Sequence, residues 1–326
     1  MFDLIDRIVG LDIGGRGVAG LYDSARALVR GPISGAAARP LAGLQPGEHV
    51  FLLTGSLTRA TVDPSIAEND GPIGVAVLAR AISYGFNAIP VVLTDASIRD
   101  KVAKTVEMAG ASVVSPEQAE TAVATPRFTA VACVLGGEID DRAAQTQAEA
   151  WLERFRPRAV ISVERAGLTA DGTYRNMLGQ DYSEGRARLD HVVAGAVARG
   201  IPTVGVGDGG NEIGFGAIRE AVLRHVPHGE VLCAASATDV VLPAGVSNWG
   251  CYAILAALAL LRDDAALAHS AALERRLIEA APMLGLIDGS SGKLEPTVDG
   301  MPVEVHVAVV SLLAETVRRG LRQLRS

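Results

Sequence analysis

Acidic residues and glycines crowd into one short stretch, GVGDGGNEIG at residues 205–214. Glycine-rich turns often hold phosphates through backbone N–H groups, and the G-x-G-x-G spacing is close to a dinucleotide fingerprint. Asp208 and Glu212 would repel a pyrophosphate, however, and the sequence contains no GxxxxGK(S/T) motif. A divalent cation or an ammonium group suits an acidic turn better. The stretch therefore predicts no nucleotide cofactor. It predicts either a metal site at Asp208 and Glu212 or a carboxylate that acts as a base.

Further polar residues follow other apolar runs of the chain. Thr54 and Gly55 come after the first run, Asp70 lies in AENDGP, and Glu164 and Arg165 lie in SVERAG. The downstream segments DGTYRNMLGQD and AGVSNWG, with the acidic turn, supply the remaining candidates: Arg175, Asn176, Asn211, Ser247 and Asn248. In open α/β sheets, ligands bind beyond the carboxyl ends of the strands. We therefore expect these residues to share one polar site.

Helix capping is the alternative role of several candidates. It applies to residues that stand at or just before a predicted helix start: Asp70, Asn211, Glu212, Ser247 and Asn248. Glu164 and Arg165 could also be no more than a local ion pair. Each alternative is reasonable alone, but together they leave many charged groups beside glycine-rich turns. We therefore favour a shared site.

Apolar runs alternate with longer Ala-rich stretches from residue 49 onward. The predicted strands are residues 49–54, 88–94, 129–135, 159–163, 201–207 and 230–236. The predicted helices are residues 72–84, 97–109, 141–155, 186–199, 212–224 and 248–262, followed by 268–281 and 303–323. Strands that are apolar throughout and alternate with helices are typical of a parallel sheet covered on both faces. The pattern predicts a doubly wound, three-layer α/β fold with a mostly parallel central sheet.

Two regions are expected from this pattern. Residues 1–45 read as an N-terminal helical arm, with helical patterns near Phe2–Val9 and Gly17–Val29, followed by a Gly/Pro-rich connector. Residues 46–326 read as a single α/β domain. The arm is rich in Ile, Leu and Val, so a homodimer that packs through it is a further expectation.

Composition narrows the function classes. The 326 residues carry a formal charge of −7 and no long basic run, which argues against a nucleic-acid partner. The three cysteines form no CxxC pair, and the histidines show no zinc-binding spacing. No apolar run reaches the roughly 18–20 residues of a membrane span. The N-terminus lacks a cleavable apolar signal. These features predict a cytoplasmic protein with a small-molecule substrate and no membrane partner.

Four linked motifs carry a family resemblance. GVGDGGNEIGFG, with ENDGPIGVAVLARAI, VERAG followed by DGTYRNMLGQD, and AGVSNWGCYA, resembles the D-glutamate cyclase family: the C-terminal domain of the mammalian enzyme and its stand-alone bacterial relatives. The likeness runs in the same order through roughly residues 50–310. It implies a carbon–oxygen lyase that converts D-glutamate to 5-oxo-D-proline and water, assisted by Mn²⁺ or Mg²⁺.

That reaction suggests roles for the candidates. The ammonium group must lose a proton to a base, and the γ-carboxylate must be neutralised before the amine attacks it. Asp208 and Glu212 are candidates for metal binding or for the base, and Glu164 is an alternative base. The guanidinium groups of Arg165 and Arg175 match substrate carboxylates. The other predicted substrate-binding residues are Thr54, Gly55, Asp70, Asn176, Asn211, Ser247 and Asn248. A related lyase or hydrolase acting on another small amino or hydroxy acid, and a non-catalytic metabolite-binding module, remain alternatives.

Overall fold

A seven-stranded, wholly parallel sheet forms the centre of the molecule. The computed structural model describes residues 1–325, with the side chains of residues 1–323. The strands are β1 (His49–Leu53), β2 (Ala67–Glu68), β3 (Ile89–Asp95), β4 (Ser112–Val113), β5 (Val131–Gly137), β6 (Val160–Val163), β7 (Thr203–Gly207), β8 (Val240–Pro243), β9 (Leu286–Ile287), β10 (Thr297–Val298) and β11 (Met301–Pro302). The central sheet has the order β4-β5-β3-β1-β6-β7-β8.

Helices cover both faces of this sheet. They are α1 (Phe2–Val9), α2 (Tyr22–Leu28), α3 (Ile33–Ala42), α4 (Pro72–Phe86), α5 (Arg99–Ala109), α6 (Pro116–Ala124), α7 (Asp141–Phe155), α8 (Asp190–Ala198), α9 (Arg219–His225), α10 (Gly229–Leu232), α11 (Ser247–Arg262), α12 (Ala271–Ala280) and α13 (Val303–Arg325). Buried side chains form one cluster on each side of the sheet, the larger with α4 and α11 and the smaller with α7 and α8. The predicted doubly wound α/β fold is confirmed.

The chain reverses its winding direction at the centre of the sheet. It builds outward from β1 through β3 to β5, then returns to place β6 on the other side of β1. A crevice forms at such a switch point, beyond the carboxyl ends of the two strands. Thr54 follows β1 there and Glu164 follows β6. The topology thus fixes where a ligand site is expected.

Five of the six predicted strands are confirmed, and the sixth is wrong. Residues 230–236 were expected to be extended, but Gly229–Leu232 form helix α10. The true strand, β8, comes later at Val240–Pro243. A Cβ on Gly229 would lie 2.3 Å from the carbonyl oxygen of Val222, so glycine lets α10 turn back closely against α9. Pro243 is tolerated because β8 is an edge strand.

Helix boundaries also differ from expectation near the acidic turn. The helix predicted at 212–224 begins only at Arg219, after a 3₁₀ turn at Gly216–Ile218. Glu212 therefore precedes the helical segment by several residues and cannot cap it. Helices α3 and α6 and the short strands β2, β4 and β9 were also not predicted.

The N-terminal arm packs onto the α/β core. Helix α1 buries Ile5, Ile8 and Val9, and α3 lies along α11 within the same hydrophobic cluster. The segment predicted as a connector is therefore largely helix α3. Within residues 1–325, no helix combines the length and apolarity needed to cross a bilayer.

Candidate active site

A cavity of about 360 Å³ opens at the switch point. Its lining consists mostly of polar residues and comes from distant parts of the chain: Arg16, Ser56, Thr58, Arg59, Glu68, Glu164, Asn176, Met177, Leu178, Tyr182, Asp208, Asn211, Gly289, Ser290 and Asp299. The loop after β1 and the acidic turn after β7 both contribute residues to this lining. This volume falls within the range of small-molecule pockets.

Three carboxylates meet beside this pocket, and two of them, Glu164 and Asp208, belong to its lining. One oxygen each of Asp70, Glu164 and Asp208 lies within 4.8 Å of the other two. Asp70 and Asp208 are buried, and Glu164 is half-buried. Hard oxygen donors of this kind are the preferred ligands of Mg²⁺ and Mn²⁺. Among the side chains described, this triad could therefore hold a divalent metal ion.

Asp70, one member of the triad, is held by reciprocal capping between the N-termini of α4 and α11. Asp70, just before α4, accepts hydrogen bonds from the backbone N–H groups of Ser247 (3.0 Å) and Asn248 (2.8 Å) at the start of α11. In return, the Asn248 side-chain oxygen accepts from the N–H groups of Gly71 (3.0 Å), just before α4, and of Gly74 (2.6 Å) in its first turn. Asp70 and Asn248 therefore do cap helices, but Asp70 caps α11 and Asn248 caps α4.

Glu164 occupies the position between those helix ends. It adopts a left-handed φ of 47° and accepts a 2.5 Å hydrogen bond from the Ser247 hydroxyl. A Cβ on Gly71 would approach the Glu164 Cβ to 2.8 Å, so glycine is needed for this close approach. A non-glycine residue held at positive φ is a strained conformation of the kind found at functional sites.

Burial makes the negative charges of the triad costly. It raises the pKa of Asp70, Glu164 and Asp208 well above their ordinary values. Neighbouring carboxylates add to the rise, while Arg16 lowers the pKa of Asp208. Nearby Glu68 has its pKa raised by burial to about 7. The site thus favours a bound proton or a cation.

Glu212 faces its own turn instead of the triad. Its carboxylate accepts backbone hydrogen bonds from Asp208 (2.8 Å), Gly209 (2.7 Å) and Gly210 (2.6 Å). A Cβ on Gly207 would lie 2.4 Å from the Glu212 carboxyl carbon, which explains a glycine there. Glu212 therefore shapes the turn that presents Asp208, and Asp70 takes the place beside Asp208 that sequence analysis gave to Glu212.

Arg16 and Asp299 complete the pocket, and sequence analysis missed both. The guanidinium of Arg16 forms an ion pair with Asp208 and donates to Asp299 at 2.8 and 3.2 Å. Asp299 and Gly300 both have positive φ, as a two-residue type I′ hairpin between β10 and β11 requires. The Asp299-Gly300 pair is a recognisable turn signal in the sequence, whereas no sequence motif marks Arg16.

The two arginines predicted to bind substrate lie outside the pocket lining. Arg165 is 1% exposed and pairs with Asp95 at 2.5 and 2.9 Å. It also donates to the carbonyl oxygens of Gly55 (3.1 Å) and Ala187 (2.6 Å). Arg175 pairs with Asp171 at 2.8 Å. The structure thus gives Arg165 ion-pair and hydrogen-bond partners within the core, and a substrate role for either arginine stays a prediction.

Some of the remaining candidates line the pocket, and others lie in the structure behind it. Asn176 and Asn211 line the pocket, and Asn211 donates to the Arg175 carbonyl oxygen at 2.8 Å. Thr54 is buried with its hydroxyl unpartnered within the described chain, and a Cβ on Gly71 would lie 2.8 Å from that oxygen. Gly55 has φ of 104°, and a Cβ there would lie 2.6 Å from the Thr94 hydroxyl. Any side chain at position 55 is therefore strained.

Fold and pocket together define a class: a doubly wound α/β protein with a carboxylate-lined small-molecule pocket at the switch point. Within that class, the chain belongs to the D-glutamate cyclase-like, C-terminal family, whose model matches residues 5–314. The match includes Arg16, the triad and Asp299.

One curated relative is the human protein named D-glutamate cyclase, mitochondrial. It is 28% identical over 337 aligned positions, which cover 95% of this chain and 51% of the human protein. The chain therefore spans about half the length of that relative.

Proposed function

We propose that this protein is a D-glutamate cyclase that converts D-glutamate to 5-oxo-D-proline and water in the switch-point pocket. The observation that carries the proposal is the carboxylate triad of Asp70, Glu164 and Asp208, two members of which, Glu164 and Asp208, line a pocket that also contains arginines. Membership of the D-glutamate cyclase-like family supports the substrate. A lyase of this kind needs a site that receives both carboxylates and an ammonium group, and this pocket offers both signs of charge.

The triad is proposed to hold Mn²⁺ or Mg²⁺. Three carboxylates gathered at one point, with two helix N-termini behind them, form a hard-oxygen donor set that suits either ion. Such a cation, when bound, supplies positive charge that makes a carboxylate a better electrophile.

Substrate carboxylates have two guanidinium partners in the pocket. Arg16 lies within its wall beside Asp208, and Arg59 lies at its exposed side, where it donates to the Thr58 carbonyl oxygen at 2.9 Å. Guanidinium groups bind carboxylates bidentately and hold their orientation. Two such anchors would bend D-glutamate so that its amine approaches its own γ-carbon, which is the orientation task of ring closure.

Glu68 is the best-placed base for the ammonium proton. Its carboxylate lines the pocket, and burial raises its pKa to about 7, where a carboxylate can both accept and return a proton at neutral pH. The reaction balances without a net proton: the C–N bond forms, one γ C–O bond breaks, and two ammonium protons leave with that oxygen as water. A base that returns its proton to the departing oxygen meets this requirement.

The pocket walls restrict the chirality of the substrate. Asn176, Asn211 and Tyr182 line the pocket and offer amide and hydroxyl groups. Asn211 also donates to the Tyr182 hydroxyl at 3.3 Å, which links these two side chains. Hydrogen-bonding groups fixed in this way discriminate more strongly than an apolar wall, because a mismatched isomer leaves them unpaired.

Chiral chromatography of 5-oxoproline tests the proposal. The purified chain is incubated with D-glutamate or L-glutamate, each with Mn²⁺, with Mg²⁺ or with EDTA. We expect 5-oxo-D-proline from D-glutamate, loss of activity in EDTA and little product from L-glutamate. Binding of D-glutamate without product would instead identify a metabolite-binding module. Absence of both binding and turnover, with turnover of an analogue, would point to a related lyase or hydrolase.

A further inference from the structure

Arg16 holds a positive charge against one member of the triad. Its guanidinium forms an ion pair with Asp208, and it also pairs with Asp299 and donates to the Ser290 hydroxyl at 3.3 Å. Asp208 is therefore shared between the arginine and any cation bound at the triad. Two positive charges that use the same carboxylate oppose each other.

The N-terminal arm holds Arg16 in this position. The Asp12 carboxylate accepts hydrogen bonds from the backbone N–H groups of Arg16 and Gly17, both at 2.9 Å. Gly17 has φ of 91°, and a Cβ there would lie 2.1 Å from the His225 carbonyl oxygen. The backbone at Arg16 is thus seated closely against α9, while its side chain reaches several polar partners in the pocket.

Asp299 offers Arg16 an alternative partner. Both of its carboxylate oxygens already receive hydrogen bonds from the two terminal nitrogens of Arg16. Asp299 is not a member of the triad. An arginine that leaves Asp208 can therefore keep one carboxylate partner and present its free edge to a carboxylate of the substrate.

We propose that Arg16 is an exchangeable internal counter-ion, which competes with the divalent cation for Asp208 and moves to the substrate carboxylate when both ligands bind. The inference rests on the proposed function, because it concerns the cation and substrate of that pocket. Its consequence is that Arg16 weakens binding of the cation alone and strengthens binding of D-glutamate. Loss of Arg16 should therefore change the two affinities in opposite directions.

Titration of Mn²⁺, followed by electron paramagnetic resonance of the free ion, tests the first half. Arg16→Gln removes the competing charge and should bind Mn²⁺ about 10-fold more tightly than the wild type. Arg59→Gln is the matched control, because it removes the same charge from the same pocket without touching Asp208. A general electrostatic effect would tighten Mn²⁺ binding equally in both variants, and that result would overturn the proposal.

The KM for D-glutamate at saturating Mn²⁺ tests the second half. Arg16→Gln should raise KM about 10-fold or more, the scale of a lost charge-assisted hydrogen bond. An unchanged or weaker Mn²⁺ affinity in Arg16→Gln, with an unaltered circular dichroism spectrum, would overturn the exchange.

A second variant keeps the test valid if Arg16→Gln does not fold. Asp299→Asn suits the type I′ turn of the hairpin as well as aspartate does and leaves Asp208 as the one carboxylate paired with Arg16 among the described side chains, so Mn²⁺ binding should weaken. Unchanged or tighter binding in this variant would contradict the proposal. Failure of the proposed function is distinguishable, because the wild-type chain would then form no oxoproline. Turnover by a wild type that binds no Mn²⁺ would overturn the exchange and leave the cyclase intact.

Discussion

Two arginine–aspartate pairs lie near the carboxyl edge of the sheet, and they differ in how completely they are satisfied. The Arg165–Asp95 pair is 1% and 0% exposed, and its guanidinium also donates to two carbonyl oxygens. In the Arg16–Asp208 pair the side chains are 24% and 2% exposed, and other carboxylates of the triad remain beside them. We call the Arg165–Asp95 pair the closed pair and the Arg16–Asp208 pair the open pair. The closed pair supports the fold, whereas the open pair, with surplus negative charge beside a pocket, is available for ligands.

The largest expected effect comes from breaking the closed pair. Arg165→Met should destabilise the protein by about 3–5 kcal/mol, because Asp95 is left charged and unpaired in the core. Thermal unfolding measures the loss, and turnover of the folded fraction should stay close to wild type. A stable variant with much reduced turnover would mean that Arg165 acts on the substrate after all.

The open pair should respond in the opposite manner. Asp208→Asn keeps the shape and removes the charge, so we expect kcat to fall by about 10²-fold or more. Unfolding temperature should change little, because the buried carboxylate already has a raised pKa and is costly to keep charged. Steady-state kinetics beside calorimetry separates the two effects. Asp100→Asn, on the exposed surface of α5, serves as the control.

Glu212 should behave as part of the scaffold although it lies in the same turn as Asp208. In Glu212→Gln an amide nitrogen replaces one acceptor oxygen, so at least one of three buried N–H groups loses its partner. We expect a loss of about 1–3 kcal/mol in the free energy of unfolding. A variant of normal stability with a collapse in kcat would return Glu212 to the catalytic role suggested by its sequence position.

Stability without added metal should fall as the pH rises. The folded chain holds the Glu68 proton up to a pKa of about 7, whereas the unfolded chain releases it near the ordinary value of 4.5. The folded state therefore binds more protons between these values, and its stability decreases across that window. Asp70, Glu164 and Asp208 shift in the same direction. Unfolding temperatures measured in EDTA from pH 4 to pH 8 should decline, and less steeply in Glu68→Gln.

Sequence analysis located the edge of the sheet that holds the site but not every group in it. Strand–helix alternation predicts which residues follow each parallel strand, so Asp70, Glu164 and Asp208 could be grouped before the fold was known. Side-chain direction could not be read in the same way. Glu164 takes a left-handed φ at the end of β6, so it faces the pocket while the adjacent Arg165 enters the core.

Contacts between residues far apart in the sequence were the second feature that sequence analysis could not predict. Arg16 meets Asp208 across 192 positions of sequence, and Asp70 caps a helix that begins 177 positions later. Neither contact has a local motif, because the arm and the helix pair come together only through packing of the whole fold. The strand at 240–243 was missed since the longer, mostly apolar segment at 230–236, part of which lies in α10, has the composition of a strand.

Anomalous diffraction from a crystal of the protein soaked in Mn²⁺ tests the central claim most directly. The account predicts a single strong peak bound by oxygens of Asp70, Glu164 and Asp208, at about 2.1 Å, the distance typical of a small hard cation. Arg16 should then lie nearer to Asp299 than to Asp208. A peak elsewhere, or no peak at the triad in crystals of active protein, would contradict the assignment of this pocket as the metal-assisted site.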